Sequence, residues 1–137
     1  MSGAMLAAIS GWILAVGLVT VIGWPYVLGR SFRAAGTLQV RMQPHYVLGY
    51  GLAPFAFVHA MPGMTPAAMA DPLGLYLATG ATLLAMVQIG VGLVLRDAHR
   101  EARRAIRRCH LAVASAIVLA AGAHIVRDSV VLRMLWG

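Results

Sequence analysis

The chain reads as long apolar runs separated by short segments rich in arginine. Residues 1–29 carry no charge, residues 42–70 and 72–95 form two further uncharged runs, and a fourth apolar stretch opens near Cys109. A helix crosses the hydrocarbon core of a bilayer with roughly 20 apolar residues. The pattern therefore predicts four spans, at about 5–28, 44–61, 73–95 and 109–128. These runs are too long for barrel strands, and backbone groups in lipid must find hydrogen-bond partners within the chain, so the spans are expected to be helices. The first run lacks a basic start and exceeds the about 7–15 apolar residues of a signal-peptide core, so it is read as a retained span. Pro44 is expected at a helix start. The stretch from Met61 to Pro66 is expected to be a turn-rich loop, and Asp71-Pro72 to open the next helix. Pro54 lies inside the second span and is expected to bend it. The predicted fold is all-α: one transmembrane four-helix bundle over residues 1–137.

Composition agrees with a membrane protein. Hydrophobic residues make up 61% of the 137 positions and charged residues 11%, against roughly 25% charged in a soluble domain. A soluble globular protein and a disordered chain are both excluded. The single Cys excludes a disulfide scaffold and a CxxCH haem attachment.

Charge then orients the spans. The net charge is +7, and all basic residues are Arg. Arg30, Arg33 and Arg41 lie between spans one and two. Arg96, Arg100, Arg103, Arg104, Arg107 and Arg108 lie between spans three and four, whereas Arg127 and Arg133 lie near the C-terminal end. The positive-inside rule places the first and third connections in the cytoplasm and both termini outside, N-out/C-out, in a bacterial inner membrane. The stretch from Arg96 to Arg108 reads as a topology signal that also meets anionic lipid headgroups. It is short, has no interleaved aromatic residues and lies against the membrane, which argues against nucleic acid as a partner.

The candidate chemistry is in the histidines. His99 falls in the Arg-rich connection and is expected to be solvated. His45 and His59 are 14 residues apart in span two, and His110 and His124 are 14 apart in span four. At 100° per residue, 14 residues fall only about 40° short of four turns, so each pair shares a helix face, about 21 Å apart along the axis. Spans two and four run in the same direction. His45 would then meet His110 at the cytoplasmic level, and His59 would meet His124 at the periplasmic level. Ionisable residues inside a membrane are costly and point to function. Two facing imidazoles suit the axial positions of a haem iron, giving two haems between spans two and four with their irons roughly 20 Å apart. Arg41, Arg107 or Arg108 would pair with haem propionates on the cytoplasmic side, and Arg127 on the periplasmic side. The His faces continue through Leu48, Gly49, Leu52 and Ala56 on span two, and through Val113, Ala114, Ile117 and Ala121 on span four. Gly49 and Ala114 would leave room for a porphyrin edge, although small residues also let membrane helices pack closely. A 65-residue offset maps His45 onto His110 and His59 onto His124, as two repeated helical hairpins would. Gln88 is a candidate quinone contact or a helix–helix hydrogen bond. Cys109 is expected to be an inert buried thiol. The alternatives to haem are a non-haem metal, which would need more ligands than two His per level, and structural or transport histidines.

Two pairs of His, each pair separated by 13 residues, on two parallel helices resemble the transmembrane di-haem cytochrome b family. Its members include the N-terminal bundle of cytochrome b in quinol–cytochrome c oxidoreductases and small bacterial four-helix cytochromes b linked to quinone. The resemblance rests on His45, His59, His110 and His124. It implies two haem b, exchange with quinone, and electron transfer across the membrane to a partner redox subunit of an oxidoreductase. A stand-alone enzyme acting on superoxide or quinone is the alternative within that family; a haem-free transporter or assembly subunit is the alternative outside it. The paired helix-one and helix-three glycines of the larger family members have no matching set among Gly11, Gly17, Gly23, Gly80, Gly90 and Gly92.

Overall fold

The computed structural model describes residues 3–31, 38–61 and 72–128, and they are almost entirely α-helical. Four helices follow in order: α1 (Gly3–Ser31), α2 (Leu38–Ala60), α3 (Pro72–Asp97) and α4 (Arg100–Asp128). The chain divides into two compact units, residues 1–63 and 64–137, and each is one antiparallel helical hairpin, α1 with α2 and α3 with α4.

The local sequence accounts for these helices. α3 starts at Pro72, where a missing N–H costs nothing because the first N–H groups of a helix have no partner in it. Its neighbour Asp71 and the Pro-rich segment before it lie outside the described residues, as does Arg133. Hydroxyls within the apolar runs bond back onto their own helices. Thr20 donates to the Val16 carbonyl at 2.8 Å, Thr82 to that of Ala78 at 2.9 Å, and Ser115 to that of Leu111 at 3.0 Å. A hydroxyl satisfied in this way can face lipid.

Two expected boundaries differ. α2 begins at Leu38, so Pro44 lies inside it and not at its start. The helix continues into the polar residues Gln39, Arg41 and Gln43, because a helix need not stop where the apolar run stops. Likewise, residues 100–108 of the Arg-rich stretch form the first turns of α4, and only Ala98 and His99 separate α3 from α4. Ala, Arg and Glu are strong helix formers, so the helix extends through the charged stretch. The Arg103 N–H donates to the His99 carbonyl at 3.0 Å, which makes His99 the first acceptor of α4. The spacing of Arg100, Arg103, Arg104, Arg107 and Arg108 puts all five within about 140° of the helix circumference, and all five are exposed.

Apolar side chains point outward. Among the described hydrophobic residues, Ile117 is the only one buried, while Val19, Tyr26, Tyr76 and Leu119 are each more than two-thirds exposed. Such a surface is unsuited to water and suited to lipid. Three helices contain segments long and apolar enough to cross a membrane: Met5–Val27, Pro72–Asp97 and Arg100–Arg127. α2 is long enough at 23 residues. Arg41, Gln43, His45 and His59 make it too polar to qualify on composition alone.

Candidate functional site

In each hairpin a histidine ring rests against the preceding helix. In the first hairpin, α1 and α2 run antiparallel with Ser10 beside His59 and Val21 beside His45. His45 Nδ1 lies 3.0 Å from the Val21 carbonyl oxygen. A carbonyl can only accept, so Nδ1 carries the proton and Nε2 carries the lone pair. His59 Nδ1 lies 3.0 Å from Ser10 Oγ. Ser10 Oγ also lies 2.7 Å from the Leu6 carbonyl oxygen and 3.1 Å from that of Ala7, on its own helix. Both rings of this hairpin are thus anchored to α1 through Nδ1. A histidine that binds a metal through one nitrogen commonly donates the other N–H to a carbonyl or another acceptor.

Gly11 makes room for the His59 ring. A Cβ at Gly11 would stand 2.9 Å from His59 Cε1, closer than real Cβ contacts come. One turn from His45, Gly49 faces open space: a Cβ there would meet nothing within 4 Å.

The second hairpin holds its ring differently. Gln88 on α3 donates its amide Nε2 to His110 Nε2 at 3.3 Å, so the contact here is to the other ring nitrogen. The other amide atom, Gln88 Oε1, is buried without a hydrogen-bond partner among the described residues. Gly92 lies under the same ring, but a Cβ there would sit at an ordinary 3.5 Å from His110 Cε1. His124 is half-buried. The register that sets Gln88 and Gly92 against His110 brings the first turns of α3 opposite His124, where Gly74 is buried.

The remaining predicted positions are distributed as follows. Ala114 is half-buried on α4, Arg41 is half-buried in the second turn of α2, and Arg107, Arg108 and Arg127 are exposed. Trp24 Nε1 donates to the Arg41 carbonyl at 3.4 Å, tying that turn to α1. His99 is exposed at the α3–α4 turn, as expected. Cys109 is exposed and not a buried thiol: His110 turns towards α3, and its neighbour, about 100° around the helix, turns away. Gln88 makes the helix–helix hydrogen bond. Among the described residues no three His, Cys, Asp or Glu gather into a metal-binding group, whereas axial ligation of a haem asks for two.

Ser10, Gly11, the Val21 carbonyl and Gly92 are site residues that the reading of the sequence missed. A register count along the first hairpin connects the first three: position sums near 66–70 pair α1 with α2, as in Val21 with His45 and Gly11 with His59. The chain was compared with protein-family models, curated proteins and solved structures, and none matches.

Proposed function

We propose that this chain is a di-haem b-type cytochrome of a bacterial inner membrane, with α1 to α4 as its four spans and both termini outside. His45 and His110 would hold the cytoplasmic-side haem, and His59 and His124 the periplasmic-side haem. The observation that supports this reading is the seating of His45 and His59 against α1 through Nδ1, two imidazoles on one face of one helix about 21 Å apart. The donor set fits haem ligation in kind, with both histidines of the first hairpin oriented from α1 through Nδ1. In the second it fits once the Gln88 amide leaves His110 Nε2. The open space at Gly49 supports room for a porphyrin edge beside His45.

Bound haem supplies a one-electron couple. The protein's own part is positional and electrostatic. Ser10 and the Val21 carbonyl orient two imidazoles, and the outward apolar surface holds the site in lipid. Arg41, Arg108 and Arg127 offer cations to propionates at the two membrane boundaries. Electrons would pass between a quinone pool and a partner redox protein, with the chain as the membrane subunit of an oxidoreductase.

The test is a reduced-minus-oxidised spectrum of the purified protein in detergent with haem quantitation. Two b-type haems per chain are expected. One haem would restrict ligation to a single His pair. None, from cells supplied with haem precursor, would overturn the reading in favour of a haem-free membrane bundle. Quinone reduction by the isolated chain would favour a stand-alone enzyme over a subunit.

A further inference from the structure

We infer that Pro25, on α1, is the positioning residue for His45, acting through the carbonyl of Val21. In an α-helix the carbonyl of residue 21 accepts the N–H of residue 25. Residue 25 is proline and lies inside α1, so that donor is missing, and the ring crowds the same carbonyl. The helix interior therefore contains an acceptor that α1 cannot satisfy. Water would satisfy it in a soluble protein, but lipid cannot. His45 Nδ1, at 3.0 Å, takes the vacated place. The neighbouring Trp24 indole, which donates to the Arg41 carbonyl one turn before His45, holds the two helices together at this level.

The arrangement selects a tautomer. A carbonyl demands a proton on Nδ1, so Nε2 is left basic. Pro25 thus dictates which nitrogen His45 offers, although it lies on a different helix. What Nε2 then binds rests on the proposed function; the tautomer itself does not.

The experiment uses the full-length chain in detergent, without haem, with its histidine nitrogens isotopically labelled for NMR in alkaline buffer. His45 is assigned by its loss in His45→Asn. In the unaltered protein His45 is expected to show the Nδ1–H tautomer. Pro25→Ala restores the competing N–H, and the ratio of Nδ1–H to Nε2–H at His45 is expected to fall by about tenfold, the scale of one hydrogen bond. Pro54→Ala restores an N–H on α2, away from Val21, and is expected to leave His45 unchanged. An unchanged His45 in Pro25→Ala, an equal shift in Pro54→Ala, or an Nε2–H tautomer in the unaltered protein would each overturn the inference. Haem content is measured separately on the unaltered chain. A haem-free protein that still shows the Pro25 effect would therefore sink the cytochrome reading and leave this one standing.

Discussion

The two hairpins place histidines at the same 14-residue spacing, but His45 and His59 are held by Nδ1 and His110 by Nε2. The first hairpin grips Nδ1, through a serine hydroxyl and a backbone carbonyl. At His110 the second hairpin grips Nε2, through the Gln88 amide. Spacing decides which face of a helix carries a histidine. The preceding helix decides which ring atom is offered. On the proposed function, the first hairpin orients two imidazoles for a haem, while His110 would give up its hydrogen bond to Gln88 before holding one.

The largest expected effect comes from deleting a ligand. His59→Ala should remove one of the two haems and spare most of the other, read by haem quantitation. Loss of both would break the idea of two separately held sites. Next come changes to the grip itself. Ser10→Ala removes the hydroxyl partner of His59 Nδ1, and Gly11→Ala pushes a Cβ into His59 Cε1. Each should weaken haem binding at that level by at least about tenfold in a titration of the apo-protein. A smaller effect of opposite sign should follow from Gln88→Leu. Interhelical hydrogen bonds in membranes average about 0.6 kcal/mol, so releasing His110 Nε2 should tighten haem binding about threefold. A weakening would mean that Gln88 supports the ligand and does not compete for it. The smallest effect is expected from Gly92→Ala, because the contact with His110 is already at ordinary van der Waals distance. If Gly92→Ala proved as damaging as Gly11→Ala, the two glycines would be equivalent and the contrast between the hairpins would fail.

Much of the architecture was legible in the residue order. The uncharged runs located the helices, Pro72 marked the start of α3, and 61% hydrophobic residues against 11% charged pointed to lipid. Boundaries were misjudged where an apolar run was equated with a helix, as at Leu38 and at Arg100–Arg108, since a helix continues wherever propensity allows. Cys109 was misplaced because its facing depends on where His110 turns, a property of the hairpin and not of the run.

By itself, the sequence determined the helices, their apolar surfaces and the shared face of His45 with His59 and of His110 with His124. All of these follow from local periodicity and the energetics of transfer into lipid. Only the tertiary structure decided that Ser10 and Gly11 meet His59, that the carbonyl orphaned by Pro25 meets His45, and that Gln88 meets His110. Those partnerships depend on the register of one helix against another. A slide of a single turn, about 5.4 Å, would exchange every partner without altering a residue.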